Sequence, residues 1–108
     1  MWTVVFHPVA EKELGGLPAA DRAAVLHAAA KLAALGPSLP YPHQSDVRGG
    51  RGLRELRPRA GRSRVRALYG RLGDAFVIVA VAPEALVDRR RFDRAVGVAA
   101  QRLAEVEE

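Results

Sequence analysis

The chain has 108 residues, 49% of them hydrophobic and 27% charged, a size and balance that suit one folded domain over 1–108 and exclude an intrinsically disordered chain. It contains no cysteine, which removes thiolate chemistry and cysteine-held zinc, and no apolar run approaches the ~20 residues of a membrane span. The net charge of +5 is unevenly placed: between residues 48 and 71 nine arginines face one acid, Glu55, while the rest of the chain is net negative.

In chain order, "WTVVF" (2–6) is a short apolar run rich in β-branched and aromatic residues and predicts a buried strand. Pro8 suits the first position of a helix, on which Ala10, Leu14 and Leu17 recur at i, i+4 and i+7 before Gly15 and Gly16 interrupt it. A second helix is predicted from near Pro18 to Leu35. Val25, Ala29 and Leu32, with Leu26 and Ala33 beside them, form its buried stripe, and Asp21, His27 and Lys31 its polar side. Gly36 and Pro37 stop it. The two helices form an αα-hairpin whose apolar faces need a sheet to cover.

Residues 37–46, with three prolines, read as an extended connector. "GGRG" (49–52) reads as a turn. Three strands follow, at about 53–57, 63–69 and 75–81, separated by "PRAG" and "GRLGD". The last strand is apolar throughout and is expected in the middle of the sheet, covered on both faces. Asp88 is placed to cap a final helix on which Phe92, Val96, Ala99, Leu103 and Val106 share one face. The predicted class is therefore α+β, in the order β-α-α-β-β-β-α: a small curved, mainly antiparallel sheet packed by an N-terminal αα-hairpin, with a C-terminal helix.

A basic block inside an otherwise near-neutral domain is the footprint of a polyanion site. Arginine outnumbers lysine 15 to 2, a bias that GC-rich coding produces; it explains the residue type and not the clustering. In "SRVRALY", Val65, Ala67 and Tyr69 share one face and Arg64, Arg66 and Leu68 the other, so a helical hairpin on the first leaves guanidinium groups on the second. Arg54 and Arg57 fall on opposite faces of the neighbouring strand unless a bulge intervenes, and the spacing of Leu53 and Leu56 hints at one. The alternative is a solvated strand surface on which Glu55 pairs locally. In "DRRR" (88–91), an Asp88 cap would place three arginines in a first helical turn, which opposes the helix dipole and favours a phosphate. His7, His27 and His43 show no metal-ligand spacing, no Ser-His-Asp order stands out, and no glycine-rich phosphate loop precedes a helix. The N-terminus lacks the pattern of a signal peptide, so a cytoplasmic protein is expected.

The opening "WTVVFHPV", the hairpin ending "LAALG", the connector "GPSLPYPHQSDVRG", the pair "LRELRP" and "RVRALY", and the closing "FDRAVGVAAQRL" together resemble the RelE/ParE superfamily of bacterial toxins, most closely its HigB-like, phage-related branch. The resemblance implies a toxin of a type II toxin–antitoxin system that cleaves mRNA on the ribosome, needs no cofactor or metal, and is neutralised by an antitoxin of helix-turn-helix type. On the matching positions Arg57 and Arg66 would hold the scissile phosphate, Arg54 and Arg64 would orient the RNA backbone, and Arg89, Arg90 and Arg91 would complete the pocket. One departure stands out: relatives place lysines near the active sheet, whereas Lys12 and Lys31 both lie on the helical hairpin. Arginine does not release its proton in proteins, so a general acid or base would come from His43, Glu55, Tyr69 or Asp88, or from ribosomal RNA. The missing lysines leave room for a second function class, a ParE-like gyrase inhibitor or a degenerate module that binds RNA and antitoxin only. A DNA-binding regulator fits less well, because no helix presents a basic recognition face.

Overall fold

A computed structural model describes residues 1–107. It shows a five-stranded curved sheet with helices on both faces. The elements are β1 (Thr3–Phe6), α1 (Pro8–Gly15), α2 (Ala19–Leu35), β2 (Gln44–Asp46), β3 (Arg54–Leu56), β4 (Val65–Leu72), β5 (Ala75–Pro83) and α3 (Arg89–Glu107), with a short 3₁₀ turn at Gly36–Ser38 and an irregular turn at Pro58–Gly61. The strand order is β1-β5-β4-β3-β2; β2 to β5 form an antiparallel meander, and β1 joins β5 in parallel. Among the described residues no helix is long and apolar enough to cross a membrane.

The α+β class holds, with one strand more than expected. Within the proline-rich connector, Gln44–Asp46 pairs with β3; its three polar residues carry no hydrophobic alternation, so only pairing reveals it. "WTVVF" forms an edge strand rather than a buried one: Thr3 and Val5 are exposed, while Trp2, Val4 and Phe6 turn towards the core. The buried stripe of α2 is Ala24, Val25, Ala28, Ala29 and Leu32, whereas Leu26 is 47% exposed. Adjacent positions on a helix lie ~100° apart, and here the stripe that faces the sheet takes Val25 and leaves Leu26 outside.

β5 is covered on both sides, as its composition predicts. On one face Phe76 and Ile78 meet the hairpin, with Leu14, Val25, Leu32, Leu56, Ala67 and Tyr69. On the other, Val77, Val79 and Ala80 meet α3 through Phe92, Ala99 and Leu103. Fully buried side chains such as Leu32, Leu56, Leu68 and Ile78 each contribute about 1.5–3 kcal/mol relative to exposure. α3 packs closely over Gly70, where a Cβ would come within 2.5 Å of Leu103 Cδ2.

The expected bulge in β3 is absent. Leu53 joins the α3 side of the core and Leu56 the hairpin side, as plain alternation requires at a spacing of three. The irregularity lies instead between β4 and β5, where the register shifts between Leu68 and Tyr69. Ile78 is the last residue of β5 paired with β1. Past that point α1 and α3 cover the open edge: Glu13 Oε1 accepts from the Val81 N–H at 3.0 Å, and Arg102 Nη1 donates to the Val79 carbonyl at 2.7 Å. The two side chains also bond to each other, Arg102 Nη2 to Glu13 Oε2 at 3.0 Å.

Candidate active site

The basic block does not form one exposed guanidinium surface. Strand alternation sends Glu55 and Arg66 to the α3 side of the sheet and Arg54 to the hairpin side. Arg66, expected on an open surface, is only 3% exposed. Its five N–H groups face five acceptors. Nη1 donates to the carbonyls of Ser63 (2.6 Å) and Val65 (3.0 Å). Nη2 donates to Gly61 O (3.2 Å) and Glu84 Oε2 (2.6 Å), and Nε lies 3.4 Å from Glu55 Oε1. Burial of a guanidinium is sustained only when its donors and charge are matched in this way.

The loop between β3 and β4 makes this wrapping possible. Arg59, Ala60 and Gly61 take successive left-handed conformations, with φ of 55°, 55° and 90°. The loop aims the Gly61 and Ser63 carbonyls at Arg66. Left-handed backbone at a residue with a Cβ costs about 1–2 kcal/mol, which the bonds to Arg66 offset.

Arg57 sits at the end of β3. Its Nη1 donates to Glu55 Oε1 at 2.8 Å and its Nε to the Pro42 carbonyl at 3.0 Å. Nη2 has no protein acceptor among the described residues and lies beside Gly61, where a Cβ would come within 2.6 Å of it. Arg57, Glu55, Arg66 and Glu84 thus alternate in charge along one chain of contacts. They line a cavity of about 320 Å³ together with Gly61, Ala85 and Leu86. A second cavity, of about 380 Å³, shares Glu55 and Ala85 with the first and carries Arg48 and Arg89 on its wall.

Asp88 caps α3, its Oδ1 accepting from Arg91 N at 3.0 Å, and three arginines occupy the first turn behind it. They diverge: Arg89 lines the second cavity and lies 3.6 Å from Asp93, while Arg91 points to the opposite side, towards Glu13 and Arg102. Arg90 is exposed and lines neither of these cavities. Arg64 is exposed next to the cavity loop. Arg54 bonds to Gln44 and Asp46 on the other face of the sheet, where it neighbours Tyr69. Burial raises the Tyr69 phenol above its ordinary value, and Arg54 only partly opposes that shift. His43 lies across Arg57 from Glu55, in a groove along α2.

The structure therefore brings Glu55, Arg57 and Arg66 together, with Arg89 nearby, and separates Arg54, Arg64, Arg90, Arg91, Tyr69 and Asp88 from them. Glu84 was missed by the sequence reading; its one signal was position, as the first acid after the apolar strand 75–83. In the sequence Gly61 marks only a turn and Tyr41 only the connector. Among the described residues no group of three or more His, Cys, Asp or Glu is disposed to hold a metal.

Chemically, the cavity offers a carboxylate with 13% side-chain exposure, held by two guanidinium groups, and one guanidinium N–H pair free to bind an oxyanion. That set can take up a proton and stabilise negative charge on phosphate oxygens.

Comparison with known proteins agrees with this architecture. The family model described as "Phage derived protein Gp49-like (DUF891)" matches residues 12–82. No curated protein matches the sequence. The free-state structure of an arginine-to-alanine double mutant of the E. coli toxin RelE superposes with a TM-score of 0.63 at 16% identity, covering 89% of this chain and 95% of that one. The fold is thus that of RelE, and the chain belongs to the phage-derived Gp49-like family.

Proposed function

We propose that the protein is the toxin of a type II toxin–antitoxin pair, that it cleaves mRNA on the translating ribosome in the cytoplasm, and that the Glu55–Arg57 cavity is its catalytic site. One observation carries this reading: Glu55 and the unengaged Nη2 of Arg57 open into the same cavity of about 320 Å³. In the proposed reaction a ribose 2′-oxygen of the RNA attacks the adjacent phosphorus, and Glu55 takes its proton. Arg57 holds the non-bridging oxygens as charge builds on them. The bond from phosphorus to the 5′-oxygen breaks, that oxygen takes a proton from a water molecule, and Glu55 returns its proton to the hydroxide so formed. The products are a 2′,3′-cyclic phosphate and a 5′-hydroxyl.

Arg66 acts through Glu55 rather than on the phosphate, because its donors are already occupied. It is a positioning residue. Arg48 and Arg89, on the wall of the adjoining cavity, meet flanking phosphates. The antitoxin is a helix-turn-helix protein that supplies acidic or amphipathic segments to the same basic surface.

A second reading has one observation in its favour. Arg57, Glu55, Arg66 and Glu84 neutralise one another, which suits a structural clasp in a toxin that acts by binding, on gyrase or on RNA. Purified protein added to a cell-free translation reaction separates the two. New mRNA 5′ ends, requiring translation and lost in Glu55→Gln and Arg57→Ala, support cleavage. Intact mRNA in the presence of folded protein rejects it and directs the work to gyrase.

A further inference from the structure

We propose that Tyr41 is a base-stacking residue, and that the groove along α2 beside it carries the RNA strand onward from the catalytic cavity. The inference rests on the RNA-cleaving reading above and assigns that RNA a second subsite.

Tyr41 is 71% exposed, and among the described residues no tryptophan, no phenylalanine and no other tyrosine is exposed. Isolated exposed aromatics are ordinary on protein surfaces; the placement of this one is not. The Arg57 guanidinium lies over its ring at 5.5 Å. The same Arg57 is anchored to the connector twice, through Nε to the Pro42 carbonyl and through its backbone N–H to the His43 carbonyl at 2.8 Å. The guanidinium is therefore anchored over the ring, which lies beside the one Arg57 nitrogen left for a ligand.

Arg57 is also a partition. On one side is the cavity of Glu55, Arg66 and Glu84; on the other is the groove of about 220 Å³ between α2 and the connector. Lys31, His27, His43 and Arg59 line that groove, and among the described residues no acid does. The floor is alanine from α2, which leaves room for a backbone to lie close. A single-stranded nucleic acid needs these two things together: a flat π-surface for a base, and cations without competing acids for the next phosphates. An acidic peptide would satisfy the cations and leave the ring unused, so the stacked ring favours RNA. Lys31 thereby has a function on the helical hairpin, at a distance from the sheet chemistry.

The test uses full-length protein and a fluorescein-labelled single-stranded RNA whose 2′-O-methyl groups block cleavage. Binding is read by anisotropy beside the cleavage assay on programmed ribosomes. Tyr41→Ala is expected to weaken binding about tenfold, within the range that one base–aromatic stack contributes, while Tyr41→Phe keeps the affinity. An abasic nucleotide at the stacked position should erase the difference between wild type and Tyr41→Ala. Lys31→Ala/Arg59→Ala should flatten the salt dependence of binding by about two phosphate contacts.

Affinity of Tyr41→Ala within twofold of wild type, while wild type binds and cleaves RNA, overturns this inference and leaves the catalytic reading standing. So does a loss in Tyr41→Ala that the abasic RNA does not abolish. Loss of affinity for an acidic peptide with RNA binding unchanged gives the groove to a protein partner and equally overturns it. Wild type that neither binds free RNA nor cleaves mRNA on ribosomes removes both readings together.

Discussion

Replacing Arg66 by alanine is expected to damage the fold before it damages any chemistry. Truncation would leave the Glu55 and Glu84 carboxylates without their shared cation and strip donors from the carbonyls of Gly61, Ser63 and Val65. Removing one partner of a buried ion pair costs about 3–5 kcal/mol. Glu55 and Glu84 keep 13% and 21% side-chain exposure, so water reaches them in the mutant and the lower end applies. At about 4–8 °C per kcal/mol for a domain near this size, a loss of ~3 kcal/mol lowers Tm by about 12–24 °C. Trp2 is the only tryptophan and packs against Phe76 at the core edge, so urea unfolding can be followed by its fluorescence. With m of ~1–3 kcal/mol/M the midpoint should fall by about 1 M or more. Arg57→Ala, which breaks two hydrogen bonds and the contact with the Tyr41 ring of a side chain with 21% exposure, should cost only about 1 kcal/mol. An Arg66→Ala protein within about 0.5 kcal/mol of wild type, or one more stable than Arg57→Ala, would refute the view of Arg66 as the tie between β3, β4 and the segment after β5.

Three further expectations concern the surroundings of that tie. Gly61→Ala combines a strained φ of 90° with a Cβ 2.6 Å from Arg57 Nη2; it should cost about 1–3 kcal/mol and reduce RNA cleavage as far as Arg57→Ala does, measured at a temperature where both are folded. Gly70→Val places atoms against Leu103 beneath α3; a loss of about 1–3 kcal/mol is expected in thermal melts, partly restored by Leu103→Ala. Tyr69 should give stability a pH dependence. Burial raises its folded value above that of the unfolded chain, so the native state holds the proton more tightly. Its contribution is complete below the ordinary value of about 10 and is lost as pH rises from there through the folded value. In Tyr41→Phe, which leaves Tyr69 as the only tyrosine, ultraviolet titration should show ionisation beyond that value, and Tyr69→Phe should remove this part of the alkaline loss.

The sequence was most legible where one physical signal stood alone. The Gly36–Pro37 stop of α2, the unbroken apolar run of β5 and the 4-3-4-3 spacing of α3 each correspond to an observed element. The family resemblance, read from an ordered set of short motifs, agrees with the family and the fold found. β2 was illegible because three polar residues acquire strand character only by pairing with β3. The edge position of β1 was hidden because β-branched composition does not report how many neighbours a strand has. For the site, alternation along β4 placed Arg66 on the correct face and could not reveal its burial. That burial depends on carbonyls presented by the left-handed loop 59–61 and on Glu84, 18 residues away in the chain. Counting charges finds a cluster, but pairing them needs the tertiary structure. The same limit hid Tyr41, whose place beside Arg57 follows from the connector doubling back along the end of β3.

The most direct test of the account is the chemistry of the cut ends. An mRNA cleaved by the purified protein on ribosomes, with translation under way, is recovered and the two fragments at the mapped site are weighed by mass spectrometry. A 2′,3′-cyclic phosphate on the upstream fragment and a 5′-hydroxyl on the downstream one are expected, with both fragments absent when Glu55→Gln or Arg57→Ala replaces wild type. A 5′-phosphate on the downstream fragment, or full cleavage by both variants, would contradict the assignment of the Glu55–Arg57 cavity as the site where the 2′-oxygen is activated.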